Sequence, residues 1–193
     1  MKIYLHEHEN WTNFTWDNQQ VMKLLGEARN RQGQLVGKMH SLGFYLQDET
    51  VLHTLTLDIT KSSEIEGELL ASDQVRSSIA RRLGMDIAGA VESERHVDGI
   101  VEMMLARSDK SVRRFYSLSA QIRMERKQYY EVLEKSQKGN SDITAWVLWF
   151  LQCLINAVEA TEQTLSKVHD KADFWNRHAK TILNDRQQKI IKI

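Results

Sequence analysis

The residues best suited to chemistry are three carboxylates crowded at the end of a predicted helix, in the stretch SSEIEGE at residues 62–68. The last turn of a helix prefers cations, because its unbonded carbonyl groups carry partial negative charge. Glu64 and Glu68 also stand at i,i+4 spacing, where like charges repel. Two interpretations follow. The stretch is either a solvated acidic cap, or it holds a carboxylate ready for a cation such as an arginine on another element or partner.

A second candidate is the basic stretch at residues 107–127, which contains seven basic and two acidic residues. Phe115 and Tyr116 lie among the cations, and basic residues interleaved with aromatic ones are typical of a weak nucleic-acid-binding patch. An ordinary solvated helix face has the same composition. The chain as a whole has 26 basic and 26 acidic residues, so no global field favours nucleic acid or an anionic membrane.

Motifs of the common enzyme classes are missing from the sequence. Cys153 is the only cysteine, which excludes an intramolecular disulfide and a cysteine-based zinc site. The chain has no P-loop and no Gly-x-Ser-x-Gly elbow, and no histidine follows a glutamate at the three-residue spacing of di-iron bundles. The segment His6-Glu7-His8 could hold a metal ion, but a solvated N-terminal segment is the favoured interpretation. These rules indicate no catalytic machinery.

The elements that must position these residues are helices. The chain has no proline and only nine glycines, which argues against a β-sandwich, a barrel or a proline-rich disordered protein. Apolar residues recur at three- and four-residue steps, which is the period of a helix with one buried face. The sequence therefore predicts an all-α fold, a multi-helix bundle. Its predicted helices cover residues 21–43, 49–66, 72–84, 93–107, 117–139 and 142–175.

The last of these helices is the longest and is predicted to be the central one. Its expected buried residues are Trp146, Phe150, Leu154 and Val158. Gly67 is expected to end the helix before it in a left-handed conformation. Three glycines inside the first helix, Gly26, Gly33 and Gly37, each cost about 1 kcal/mol of helix stability. Close approach of a neighbouring helix is the expected reason for them.

Two stretches resemble the Fic (Fido) family: TLDITKSSEIEGELL at residues 56–70, and VRSSIARRLGMDIAGA at residues 75–90. Both are similar to the N-terminal helical region of that family. Its inhibitory motif reads Ser/Thr-x-x-x-Glu-Gly/Asn, and Ser62, Glu66 and Gly67 match it. Residues 114–154 resemble the segment that follows the Fic catalytic core, and FWNRHAKTILNDRQQKI resembles the lead into the family's winged-helix domain.

This resemblance implies a Fic-like bundle with three segments that form one folded unit. Residues 1–105 would be the N-terminal helical region with its inhibitory helix, and residues 106–182 the helices after the catalytic core. Residues 183–193 would begin a truncated C-terminal helix, capped at Asn184 or Asp185, that leads into the winged-helix domain.

The family transfers AMP from ATP to a protein hydroxyl through a loop of the form His-x-Phe-x-Asp/Glu-Gly-Asn-Gly-Arg. This sequence has no such string, and the two resembling blocks meet directly near residues 102–110. The resemblance therefore implies a catalytically silent Fic-derived regulatory module that carries the inhibitory residues Ser62, Glu66 and Gly67. Two alternatives remain open: a portion of a Fic adenylyltransferase whose catalytic loop is absent here, and, with less support, a nucleic-acid-binding regulator.

The implied partner is a second copy of the chain or a complete Fic core bound in trans, in the manner of an antitoxin. The chain alone needs no cofactor, and ATP with magnesium enters only if a complete Fic core is present. Nucleic acid is not expected without the winged-helix domain. The most apolar stretch, residues 145–160, is interrupted by polar residues and is shorter than the ~20 residues of a membrane span. We expect a soluble, cytoplasmic protein with no membrane partner.

Overall fold

The computed structural model describes residues 4–7, 9, 11, 13–40, 43–107 and 115–177. These residues form helices and contain no strand, so the prediction of an all-α fold is confirmed for them. The proposed junction at residues 102–110 and the predicted cap at Asn184 or Asp185 lie wholly or partly outside the described residues. The helices are α1 (Asn18–His40), α2 (Phe44–Ile65), α3 (Ser72–Leu83), α4 (Arg95–Arg107), α5 (Leu118–Met124), α6 (Arg126–Gln137) and α7 (Thr144–Arg177).

The chain divides into two units, Met1–Thr161 and Glu162–Ile193. The first unit contains α1 to α6 and the first half of α7. What is described of the second unit is the helical backbone as far as Arg177. All side-chain contacts discussed below lie within the first unit.

Helix α2 packs against α3, α4 and α5. Its inward residues are those that the helical period predicts, because i, i+3 and i+7 positions share one face. Residues of the partner helices α3 and α4 complete this part of the core. The buried apolar side chains are Val51, Leu52, Leu55 and Ile59 of α2, Val75, Ile79 and Ala80 of α3, and Val97 and Val101 of α4.

The glycines of α1 lie on its solvent face. The helix buries a stripe of side chains at helical spacing, formed by Val21, Ala28, Leu35 and Met39. Gly26, Gly33 and Gly37 lie on the opposite face and are exposed, and a Cβ built at any of them would meet no described atom within 4 Å. The expected close approach of a neighbouring helix is therefore not made by the described residues.

The first half of α7 is buried on two sides. Trp149, Cys153 and Ala157 lie on one side at four-residue steps, and Leu151, Ile155 and Val158 lie on another. The predicted burial of Val158 is confirmed, but Trp146, Phe150 and Leu154 are only half-buried. That prediction was wrong because this helix is apolar nearly all round, so periodicity could not choose between its faces. Trp146 and Phe150 instead stack on each other, with ring centroids 5.5 Å apart.

A turn at Glu125 divides the predicted helix 117–139 into α5 and α6. The Glu125 carboxylate accepts hydrogen bonds from the side chains of Gln121, at 2.6 Å, and Asn156, at 2.8 Å. Cys153 of α7 is fully buried nearby. Burial, together with the charge of Glu125, raises the pKa of the Cys153 thiol to about 12. A thiol that stays protonated is a packing residue and not a nucleophile.

Within the described part of the chain, no helix combines the length and the apolar character that crossing a bilayer requires.

Candidate functional site at the acidic end of helix α2

The acidic stretch lies on a Schellman motif, a standard backbone pattern that ends helices. Helix α2 stops before Gly67, whose φ of +89° is left-handed, and the predicted left-handed glycine is confirmed. The amide of Glu68 donates to the carbonyl of Ser63 at 2.9 Å, and the amide of Gly67 donates to the carbonyl of Glu64 at 3.2 Å. These are the 6→1 and 5→2 bonds of the motif, and they satisfy carbonyls that the helix leaves open.

Glu64 is the carboxylate that meets an arginine from another element. Arg123 of α5 donates to Glu64 Oε1 from Nε at 3.0 Å and from Nη2 at 2.8 Å. Lys61, one turn earlier on α2, donates to Glu64 Oε2 at 2.7 Å. Hydrogen bonds from Lys61 and then Arg123 favour the charged form, so they hold the pKa of Glu64 below its ordinary value. Two cations therefore compensate this misplaced charge within the fold.

Glu68 lies beyond the helix and contacts α4. Its Oε1 atom pairs with Nε2 of His96. Because the left-handed Gly67 turns the chain, Glu68 does not continue the helix and does not stack over Glu64 at i,i+4. The repulsion expected between Glu64 and Glu68 on one helix face therefore does not arise.

Glu66 differs from its two neighbours. It is the C-cap residue of α2, and its backbone amide donates to the carbonyl of Ser62 at 3.3 Å. Ser62 is half-buried in the last turn, whereas Glu66 and Gly67 are exposed. The Glu66 carboxylate makes no hydrogen bond or ion pair with any of the residues that the structure describes. Of the three acids, Glu66 alone presents an uncompensated charge there.

Helix α5 holds this end of α2 at two points. Ser117 Oγ donates to Asp58 Oδ1 at 2.6 Å, and Arg123 binds Glu64 six residues later on both helices. In each pair the two partners are separated by 59 residues in the chain. Because this separation is constant along the contact, the two helices run side by side in the same direction. Ser117 also caps α5, because its Oγ accepts from the amide of Ala120 at 3.0 Å. The acidic turn is thereby fixed to a helix from the second half of the chain.

The basic stretch at residues 107–127 is described only in part, because residues 108–114 lie outside the described range. Phe115 is buried, and the hydroxyl of Tyr116 accepts a hydrogen bond from the Gln32 amide at 2.9 Å. Arg123 is bound to Glu64, and the Arg126 guanidinium lies 5.5 Å above the ring of Tyr130. The aromatic side chains that suggested base stacking are thus engaged inside the protein.

Potential metal-binding side chains do not form a cluster among the described residues. No group of three or more histidine, cysteine, aspartate or glutamate side chains among them is placed to hold a metal ion. His6 stacks on Tyr4 at 5.8 Å between ring centroids, and His8 lies outside the described residues. The sequence contains neither the P-loop motif nor the Fic loop His-x-Phe-x-Asp/Glu-Gly-Asn-Gly-Arg.

Residues 4–85 match the family model of a domain of unknown function, DUF4172. The matched span covers α1, α2 and α3 and therefore includes Ser62, Glu66 and Gly67. No curated protein matches the chain.

Proposed function

We propose that this chain is a Fic-derived regulatory module that binds a complete Fic core in trans and suppresses AMP transfer. In this proposal the Glu66 carboxylate pairs with an arginine of the partner's nucleotide site. By the Fic resemblance, that pairing would block productive placement of the ATP γ-phosphate. The sequence does not contain the Fic loop, which in that family supplies the base, the magnesium ligand and the phosphate-binding backbone.

One observation carries the proposal: Glu66 is exposed and has no partner among the described residues, in a turn whose two other carboxylates are paired. A protein gains little stability from an uncompensated acid at a helix end, because the helix dipole disfavours it there. A cation supplied by a partner would remove this conflict and form a charge-assisted hydrogen bond. The match of Ser62, Glu66 and Gly67 to the inhibitory motif identifies which partner to try first.

The test titrates the purified chain against a Fic core from which the inhibitory helix has been removed. Labelled ATP reports the AMP transferred to protein. We expect wild type to suppress transfer and Glu66→Gly to lose tenfold or more in potency. Losing one charge-assisted hydrogen bond costs about 1.5–3 kcal/mol, and about 1.4 kcal/mol is tenfold in affinity. Without the core, the chain should transfer no label.

Glu92→Gln is the matched control, because Glu92 is another exposed carboxylate in a loop of the same unit. It should suppress transfer as wild type does. If wild type does not suppress transfer, the proposal fails. If wild type and Glu66→Gly suppress it equally, Glu66 is not the residue responsible. Label transfer by the chain alone, scaling with its concentration, would show that it is an enzyme.

A further inference from the structure

Two large, exposed apolar side chains are close in sequence to residues that form or contact the acidic turn. Leu69 follows Glu66 by three residues, in the short connection between α2 and α3, and it is 85% exposed. Met124 directly follows Arg123, whose guanidinium binds Glu64, and it is 78% exposed. Single exposed apolar residues are common on protein surfaces. Here they are the two most exposed of the large apolar side chains described. Leu69 is three residues from Glu66 in the chain, and Met124 adjoins the arginine that binds Glu64 of the same turn.

The turn that presents Leu69 is held from both sides. Arg123 and Lys61 fix Glu64 before the turn, and His96 contacts Glu68 directly before Leu69. The two Schellman hydrogen bonds fix the backbone between these contacts. A partner that binds here therefore loses little affinity to ordering of the loop, since a rigid loop has little conformational entropy left to lose.

The charges of the turn define what can cover it. Among the described residues, Glu64 is paired with Lys61 and Arg123, and Glu68 contacts His96, so Glu66 carries the charge that remains open. A complementary surface needs a cationic side chain for Glu66 and an apolar recess for Leu69. An anionic lipid surface does not fit, because it would repel Glu66.

We infer that Glu66, Leu69 and Met124 form one protein-docking surface, which fits a partner with a cationic side chain beside an apolar pocket. Leu69 is the apolar anchor that supplies affinity, and Glu66 supplies the charged contact that suppresses the partner. This inference rests on the proposed function, since it assigns a second contact to the same turn. It adds two residues, Leu69 and Met124, that the inhibitory motif does not contain.

The experiment measures binding and suppression separately, with the full chain and the same Fic core lacking its inhibitory helix. Calorimetry gives Kd, and AMP transfer at saturating chain gives maximal suppression. We expect Leu69→Ser to raise Kd tenfold or more, because a fully buried leucine side chain contributes a comparable factor. Maximal suppression should persist at saturation, since Glu66 is intact. Met124→Ser should raise Kd by a smaller factor.

Met22→Ser is the matched control, because Met22 is exposed on α1 and the side-chain contacts of the acidic turn described above come from α2, α4 and α5. It should leave Kd unchanged. Circular dichroism melting should show the same midpoint for Leu69→Ser as for wild type, because Leu69 makes little contact with the fold. Wild-type binding that Leu69→Ser does not weaken would overturn the docking surface and leave the role of Glu66 standing. Absence of wild-type binding would overturn both.

Discussion

The C-terminal ends of α2 and α3 share one backbone motif and carry opposite charges. Each ends in a left-handed glycine, with φ of +89° at Gly67 and +68° at Gly84. In each, the amide after that glycine donates to a carbonyl five residues earlier at 2.9 Å. The last turn of α3 carries Arg81 and Arg82, as the helix dipole favours, whereas the last turn of α2 carries acids and no base.

The two helix ends have the same backbone motif but opposite charges, so the charged side chains are not needed to end the helix. Glycine alone provides the geometry that both ends need. At the end of α3, the arginines are used within the fold. Arg81 lies 3.6 Å from the Asp98 carboxylate, and Arg82 lies 3.2 Å from that of Glu102. At the end of α2, Lys61 and Arg123 bind Glu64 and His96 contacts Glu68, whereas Glu66 has no partner among the described residues. Helix termination therefore does not explain the acids of α2.

The largest expected effect concerns the two glycines. Gly67→Ala and Gly84→Ala should each lower the free energy of unfolding by about 1–2 kcal/mol, because a Cβ disfavours the left-handed conformation by that amount. Urea denaturation measures both. Equal losses would show that the two backbone motifs are equivalent in solution. A neutral Gly67→Ala beside a costly Gly84→Ala would mean that α2 does not end at Gly67 in solution.

Gly33→Ala is the matched control, because Gly33 has ordinary helical geometry and open space around it. It should raise the free energy of unfolding by about 0.4–1 kcal/mol, since alanine loses less chain entropy on folding than glycine. A destabilised Gly33→Ala variant would indicate that the solvent face of α1 is covered in solution.

A smaller effect is expected from reversing one charge at each end. Glu66→Lys should stabilise the protein by about 0.3–1 kcal/mol at low salt, because it places a cation at a helix C-terminus. Arg82→Glu should destabilise it by a similar amount, since it inverts the favourable charge and removes the ion pair with Glu102. Thermal melting at low ionic strength measures both variants.

High salt and a loop variant test whether the changes in stability of Glu66→Lys and Arg82→Glu are electrostatic. In 1 M salt, where the Debye length is about 3 Å, both shifts should shrink. Glu92→Lys changes an exposed loop charge by the same amount and should leave stability nearly unchanged. If Glu66→Lys were destabilising, the carboxylate would have a partner within the fold.

Structural features that depend on residues close together in the chain could be predicted from the sequence. The left-handed glycines fall where a helical pattern meets a glycine, and the buried Ile59 and Ile79 follow the helical period. Which carboxylate meets the arginine could not be predicted. Arg123 stands 59 residues from Glu64, and only the docking of α5 along α2 selects Glu64 over Glu66.

The buried face of α7 shows another limit of sequence periodicity. Trp146 and Phe150 have the apolar character of core residues, yet Leu151 and Ile155 are the buried ones. A helix that is apolar on most sides has several possible buried faces, so packing against other helices decides between them. In α1, by contrast, polar residues leave one apolar stripe, and its burial was predictable.

The smallest expected effect is in the pH dependence, where each end has a carboxylate with a lowered pKa. Hydrogen bonds from Lys61 and Arg123 lower the pKa of Glu64 from 4.5. At the end of α3, hydroxyl donors Ser78 and Ser93, and after them the arginine charges, lower the pKa of Asp98 from 3.8.

A carboxylate whose pKa is lower in the folded state stabilises the protein above its ordinary pKa. That stability is lost as pH falls through the lower, folded value. Stability should therefore decline below about pH 4.5 through Glu64 and below about pH 3.8 through Asp98.

Salt distinguishes the two contributions, because the groups that hold Glu64 are charged and the main groups that hold Asp98 are neutral hydroxyls. Urea denaturation between pH 3 and 6 measures the acid slope of stability in low salt and in 1 M salt. Glu64→Gln should flatten the slope below pH 4.5 in low salt and change it less in high salt, where ion pairs are screened. Ser93→Ala should flatten the slope below pH 3.8 by the same amount in both salts, since a neutral hydrogen bond is insensitive to screening.

Arg123→Met should reproduce part of the Glu64→Gln effect, because Lys61 still donates to the carboxylate. Equal salt sensitivity of the Glu64→Gln and Ser93→Ala effects would contradict the assignment of charged donors to one end and neutral donors to the other.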